Sequence, residues 1–361
     1  MTLQLSDKIA IVGDGIAGRY LYRLLQNEGM EQVDLYGFKK DTKCGIRPCA
    51  WGVVRRFWDL ASRVDLIPDD FILEEFGHVL INGIWVRAQL FTFDKARFLE
   101  ALVPSSKVQE VPPLPGWTEV LTHPDWRGYR YVIDATGVAR AVLGPLEGDL
   151  ISRTFQLRLR SSIPITERTI VIRTGYGGYL WLFPLGGCDF HFGCGSLTEN
   201  PGTILQRFGG GNYLKTLQDL FSGDNFESTQ TIAGVCGCPG SVRLTGPKLS
   251  QPFVRGNVWG VGEAIGLVTP LTGMGVTPAM ESARILMQEI GNSEGYTRHI
   301  LRAYSWMDEE RVILDGTRYG RWLTPLDYMT VVRNAERVGL SFGFFEAMRL
   351  AGTMMRRDYG T

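Results

Sequence analysis

The chain has no surplus of either charge: 38 lysines and arginines stand against 38 aspartates and glutamates. No long-range field draws in a polyanion, so a nucleic-acid partner is not expected. No apolar run approaches the ~20 residues that a helix needs to cross a bilayer. An apolar strand begins at Lys8, which leaves no room for a signal peptide, and a cytoplasmic location is expected. Histidine is scarce, with four residues scattered at 78, 123, 191 and 299, and the six cysteines (44, 49, 188, 194, 236 and 238) form no Cys-x-x-Cys pair. That spacing speaks against a structural zinc site, so no metal is expected. In a reducing cytosol the thiols are expected to be free. Neither internal repeats nor low-complexity segments occur. What remains is a globular composition, 44% hydrophobic over 361 residues, enough for two domains or one elaborate one.

Against those absences, two segments carry chemistry. Lys8 to Val12 reads as a buried strand and runs straight into Gly13-Asp14-Gly15-Ile16-Ala17-Gly18, followed by a helical pattern through Leu25. A G-x-G-x-x-G turn between strand and helix is the context for dinucleotide binding. Gly13 permits the turn, Gly15 lets a pyrophosphate approach the backbone, and Gly18 lets the helix pack on the strand. One piece is missing. The second strand, Val33 to Tyr36, should end in an acid that holds the adenosine ribose, yet Gly37 stands there, followed by Phe38, Lys39 and Lys40. Asp34 lies inside the strand and is not assigned that role.

The second segment is Gly260 to Gly275. A short apolar strand (258–261) reaches the carboxylate of Glu263, then a Pro/Gly-rich loop, then a helical pattern from about 276 to 290. A glycine-lined helix N-terminus carries about half a positive charge and unpaired N–H groups, and favours an anion. The reduced isoalloxazine of a flavin, with its charge at N1 and O2, is one anion that fits.

Elsewhere, 78–93 reads as two strands, Asp94 as the N-cap of a helix, 129–133 as a strand, 155–196 as strand-rich and 204–221 as a helix. The expected fold is α/β. A Rossmann-like FAD-binding domain is drawn from 1–60, 94–145 and 255–295, with an inserted strand-rich substrate domain from 61–93 and 146–254. A helical C-terminal segment over 296–361 breaks at Pro325. Its last helix places Phe344, Met348, Ala351 and Met355 on one stripe. That stripe suits packing on the body of the protein or peripheral contact with a membrane surface.

The order of these motifs resembles the geranylgeranyl reductase family of flavoproteins, within the larger fold group of p-hydroxybenzoate hydroxylase. The resemblance covers about 8–310 and rests on GDGIAG (13–18), RPCAWG (47–52), YLWLFPLG (179–186) and GEAIGLVTPLTGMG (262–275), with DKARF (94–98) and VIDATG (132–137) in support. It implies FAD as cofactor, with the pyrophosphate on Gly13, Gly15, Ile16, Ala17 and Gly18. It places Arg97 near the flavin nucleotide, Gly262 and Glu263 at the ribitol, and Gly273, Met274 and Gly275 beside the isoalloxazine. The family usually has Asp where this chain has Glu263. Cys49 matches the family's cysteine facing the flavin, although Ala50 stands where the family has glycine, and Cys44-Gly45 is a competing alignment. Tyr179, Trp181, Phe183 and Trp51 would line the substrate pocket.

Members of that family reduce isolated double bonds of prenyl chains. Such an alkene has no carbonyl to accept electrons, so a proton must arrive as hydride leaves the flavin. A thiol, with an unperturbed pKa of about 8.5, is protonated at neutral pH, and Cys49 is the candidate acid. Aromatic rings bury the chain and their faces stabilise positive charge. The substrate implied is a prenyl lipid precursor, geranylgeranyl diphosphate or a quinone side chain. With no second glycine-rich strand–turn–helix unit, the electron donor is left open between a nicotinamide, a deazaflavin and a ferredoxin. Two further readings suit the same motifs: a flavin monooxygenase, and a protein that uses FAD without net redox, such as a cyclase.

Overall fold

The computed structural model describes residues 3–38, 49–111, 126, 128–161, 169–175, 178–203, 232–343 and 346–350. Cys44, Arg47, Pro48, the helix expected over 204–221 and the stripe residues Phe344, Ala351 and Met355 lie outside them.

Two sheets organise the chain. The first has the spatial order β13 (Val254–Arg255), β14 (Val258–Gly260), β7 (Tyr131–Asp134), β1 (Ile9–Val12), β2 (Val33–Phe38) and β6 (Gln109–Val111). Every pairing from β14 to β6 is parallel, and β13 turns back antiparallel on the edge. β1 has parallel neighbours on both sides and is buried at all four positions, the reason its sequence is IAIV without alternation. Helix α1 (Ile16–Asn27) lies against α4 (Val276–Glu289) where both are small. A Cβ at Gly262 would come 3.0 Å from Cβ of Ala17 and 3.3 Å from that of Ala279. A larger residue at any of the three would push these elements apart.

The second sheet runs β12 (Ile232–Arg243), β8 (Ile151–Ser161), β11 (Asp189–Ser196), β10 (Gly178–Pro184), β9 (Ile170–Gly175), β4 (Ile72–Ile81), β5 (Ile84–Phe93) and β15 (Leu340–Ser341), with β3 (Gly52–Val54) also on β5. All pairs are antiparallel except β4 with β9. The alternation expected over 78–93 is realised in β5, where Ile84, Val86, Ala88 and Leu90 are buried and Trp85, Arg87 and Gln89 exposed. Leu157, Leu159, Val171, Leu180, Leu182, Phe190, Phe192 and Cys194 form an apolar cluster on one face. Strand period puts Tyr179, Trp181, Phe183, His191, Gln156 and Arg158 on the other.

Short helices α2 (Arg56–Ser62) and α3 (Lys95–Leu102) flank the junction of the sheets. As the sequence indicated, Asp94 caps α3, its carboxylate accepting from the Arg97 N–H at 3.0 Å. After the first sheet come α5 (Ser293–Arg318), kinked at Tyr304, and α6 (Pro325–Ala335), which starts on a capping box between Thr324 and Asp327. β15 then returns to the second sheet. Past it, Ala347 and Leu350 are buried, whereas Met348 is 52% exposed. Among the described residues no helix is long and apolar enough to cross a membrane.

Candidate functional site

The turn after β1 has its shape forced by two glycines and its mouth opened by a third. Gly13 has φ +118°, and a Cβ there would lie 2.3 Å from the Ala135 carbonyl oxygen; one at Gly18 would lie 1.8 Å from the Gly13 oxygen. Any side chain at either position would break the turn. At Gly15 a Cβ would meet nothing within 4 Å, and the residue is exposed. Gly15 is also the N-cap of α1 and makes no side-chain cap, while Ile16 and Ala17 face the core. The open end of α1 thus presents main-chain N–H groups, with no β-carbon in front of them.

The segment after β14 folds as a 3-10 turn over Gly262–Ile265, with Gly266 left-handed at φ +78°. The Gly262 N–H donates to Ser282 Oγ at 2.9 Å. Glu263 Oε1 accepts the Arg243 N–H at 2.8 Å, and Oε2 lies 3.1 Å from where a Cβ at Gly137 would stand. Next comes a closed loop: Gly273 N–H donates to the Thr269 carbonyl at 2.8 Å, and Met274 N–H donates to Thr269 Oγ1 at 2.8 Å. Gly275 then opens α4 as its N-cap, without a side-chain cap. Beneath the 3-10 turn lies Arg140, buried completely, whose guanidinium donates to the carbonyls of Ala264, Pro252 and Gly144.

The aromatic row of β10 reaches this loop from the second sheet. Tyr179 OH donates to the Thr272 carbonyl at 2.7 Å and stands 2.8 Å from a Cβ placed on Gly273. Its ring is 5.6 Å from that of Trp181. Trp181 Nε1 donates to Gln156 Oε1 at 3.3 Å, and Gln156 Nε2 donates to the Cys49 carbonyl at 3.1 Å. Gly193 lies directly across from Trp181, and a Cβ there would be 2.5 Å from Cζ2 of the indole. Glycine therefore makes the room in which the indole lies over β11. Phe183 abuts the next stretch, 3.1 Å from a Cβ built at Gly52. Between them Trp51, left-handed at φ +65°, is buried edge-on against His191 with ring centroids 4.8 Å apart.

Cys49, Trp51, Tyr179, Trp181, Phe183, Gly273 and Met274 are thus linked through one continuous set of contacts across the two sheets. Arg97 is not among them: it is exposed, donates to the Asp70 carbonyl at 2.9 Å and lies 5.7 Å over the Phe71 ring. Sequence reading missed Gln156, Arg158, His191 and Gly193. The sheet register brings in all four: the hairpin over 178–196 pairs Phe183 with His191 and Trp181 with Gly193, and β8 pairs His191 with Arg158 and Gly193 with Gln156.

The electrostatics of this corner are unusual. Burial pushes His191 down to about 3, with nearby Arg158 and Lys95 adding to the effect, so its ring is neutral. Arg158 is held by Asp189 at 2.8 Å. His191 Nδ1, Trp51 Nε1 and Arg158 Nε are all buried without a hydrogen-bond partner among the described residues. Buried polar atoms are normally paired, so three in one corner mark a place suited to a polar group.

Glu310 on α5 adds a pH-dependent contact under the same loop. It is buried, and Oε2 accepts the Leu271 N–H at 3.4 Å. Burial raises its pKa to about 7, against a weaker lowering by that N–H. A folded-state pKa above the unfolded value means stability is fully present below about 4.5 and is lost as pH rises through about 7. Urea unfolding at pH 5 and pH 8 should show the wild type losing on the order of 3 kcal/mol relative to Glu310→Gln across that interval. Identical pH dependence in the two proteins would show that Glu310 ionises freely.

No protein-family model matches the chain. An uncharacterized protein of Methanocaldococcus jannaschii is 24% identical over 348 residues, covering 84% of this chain and 90% of that protein. Among solved structures, a geranylgeranyl bacteriochlorophyll reductase-like protein from Thermoplasma acidophilum superposes with a TM-score of 0.65 at 16% identity, over 95% of each chain. PqsL of Pseudomonas aeruginosa, a probable FAD-dependent monooxygenase, gives a TM-score of 0.57 at 14% identity, over 87% of this chain and 98% of that one. At these identities the likeness establishes the fold. The chain shares the fold of these two structures, which agrees with the fold that its motifs implied.

Proposed function

We propose that the protein is an FAD-dependent reductase that hydrogenates isolated double bonds of a prenyl chain. The observation that carries this reading is the meeting of Cys49, the Tyr179–Trp181–Phe183 row and the 269–275 loop at one junction. The residues fit FAD. Gly15 leaves a helix end open where a pyrophosphate would approach, Gly13 and Gly18 admit no side chain, and Gly273 to Gly275 lead into an uncapped α4. When bound and reduced, the flavin supplies the hydride with its two electrons. The Cys49 thiol gives its proton to the other alkene carbon, and the thiolate takes one back from water. Tyr179, Trp181, Phe183 and Trp51 bury the chain and offer ring faces to the positive charge that builds on the alkene. The electron donor is a nicotinamide, a deazaflavin or a ferredoxin. Tyr319, Trp322, Leu326 and Met329, all more than 60% exposed around the α5–α6 turn, suit contact with a membrane that holds the substrate.

A second reading, a flavin monooxygenase, is favoured by the three unpaired polar atoms of His191, Trp51 and Arg158, which suit a polar aromatic substrate better than a prenyl tail. One experiment separates the two. Anaerobically reduced holoprotein is mixed with geranylgeranyl diphosphate, free or with a geranylgeranyl lipid in vesicles, and flavin absorbance and product mass are followed. The reductase reading expects the flavin to reoxidise and the product to gain two mass units per double bond. A flavin that stays reduced until oxygen is admitted would overturn it, and pelleting with vesicles reads the membrane contact.

A further inference from the structure

The second strand of a dinucleotide fold ordinarily ends in an acid that holds the adenosine ribose. Here that position is Gly37, yet a carboxylate occupies the spot. A Cβ built on Gly37 would lie 2.9 Å from Cγ and 3.2 Å from Cβ of Asp14, and 2.7 Å from a Val108 methyl. Gly37 is not in the left-handed region, so lack of room accounts for the glycine, not backbone conformation. The side chain of Asp14, from the first variable position of the Gly13–Gly18 turn, fills the volume that an acid on β2 would take.

We propose that Asp14 is the acceptor for the adenosine-ribose hydroxyls, the carboxylate having moved from the end of β2 into the glycine turn. This assignment rests on the FAD reading above. A carboxylate is an acceptor-only group with about four lone-pair directions, the chemistry that a pair of vicinal hydroxyls requires. Asp14 is also held in place. Arg19 Nη2 contacts Oδ2 at 3.4 Å and Arg19 Nε donates to the Asp14 carbonyl at 3.1 Å. Arg19 is itself anchored on the Leu99 carbonyl at 3.0 Å and Ser105 Oγ at 3.2 Å. The guanidinium offsets the repulsion that an acid this close to a pyrophosphate would otherwise cause. The side chain keeps 13% of its surface exposed, beside the open Gly15. A fixed anion at this place also disfavours a 2′-phosphorylated nucleotide.

The test is a double-mutant cycle read as flavin affinity of the apoprotein. Wild type and Asp14→Asn are titrated by fluorescence with FAD and with FAD whose adenosine carries 2′,3′-dideoxyribose. Asparagine keeps the volume and an oxygen toward Arg19. Wild type should bind the dideoxy analogue about tenfold or more weaker than FAD, as expected for a lost hydrogen bond to a charged group. Asp14→Asn should bind both flavins alike, at the wild-type affinity for the analogue. Equal weakening of both ligands by Asp14→Asn would leave Asp14 a purely structural partner of Arg19 and overturn the proposal, as would a wild type indifferent to the hydroxyls. Asp14→Ser gives the same readings if the asparagine variant does not fold. A wild type that binds neither flavin would overturn the FAD reading itself, a distinct result.

Discussion

Cys49→Ala should lower the rate of prenyl-alkene reduction by at least about 10²-fold, the range expected when a general acid is removed, with FAD affinity and the oxidised flavin spectrum unchanged. The geometry separates the two effects. Cys49 is free and half-buried, and its backbone is fixed through its carbonyl, which accepts from Gln156 Nε2 at 3.1 Å. Gln156 is in turn held by the Trp181 indole. Nothing in that chain of contacts passes through the sulfur, so truncation should leave the loop and the row of rings in place. Cys49→Ser sharpens the test. A hydroxyl holds its proton far more tightly than a thiol, so serine preserves shape but not acidity and should fall with alanine. Single-turnover reoxidation of the reduced flavin by geranylgeranyl diphosphate is the measurement. Wild-type rates in Cys49→Ala would remove the proton-donor role; joint loss of flavin binding and rate would make Cys49 a packing residue.

The parts of this site that depend on local sequence were legible, and the parts that depend on register were not. The Gly13–Gly18 turn and the Tyr179–Phe183 alternation each state their geometry within a few residues, since turn conformation and strand period are local properties. Glu263 was legible as a carboxylate at a strand end. Its acceptance of the Arg243 N–H was not, because the partner arrives from β12, whose position is set by pairing with β8. His191 reads as one polar residue in the strand DFHFGCGS, and only the hairpin register turns it towards Trp51. Arg140, in the stretch GVAR after a strand, looks like a surface charge, yet it is wholly buried. Charged residues are almost never fully buried unless paired, and no sequence rule reveals the pairing in advance.

That burial makes Arg140 the position where the greatest loss of stability is expected. The guanidinium ties three separated segments, donating through Nε to the Gly144 carbonyl at 2.8 Å, through Nη2 to Pro252 at 2.7 Å, and through Nη1 to Ala264. Burial lowers its pKa to about 10, while Asp134 nearby favours the charged form, so it remains a cation at neutral pH. Asp134 is buried too, but accepts from the N–H groups of Thr136, Val142 and Leu143, and keeps those donors whatever happens at 140. Arg140→Met would fill much of the volume while leaving the buried carbonyls of Gly144 and Ala264, and that of the exposed Pro252, without their donor. Hydrogen bonds to charged groups contribute about 1.5–3 kcal/mol each, and breaking a buried charged network costs roughly 3–5 kcal/mol. Partial relaxation keeps the terms from adding in full, so a destabilisation of about 3–5 kcal/mol is expected from urea unfolding of the apoprotein. Arg140→Lys, with one point charge in place of a fork, should fall between the two. Because Ala264 follows Glu263 directly, FAD affinity should drop along with stability, whereas Glu310→Gln at pH 8 should raise stability. A loss below about 1 kcal/mol in Arg140→Met would mean that water or neighbouring N–H groups satisfy those carbonyls, and that the 262–266 turn holds its shape without the clamp.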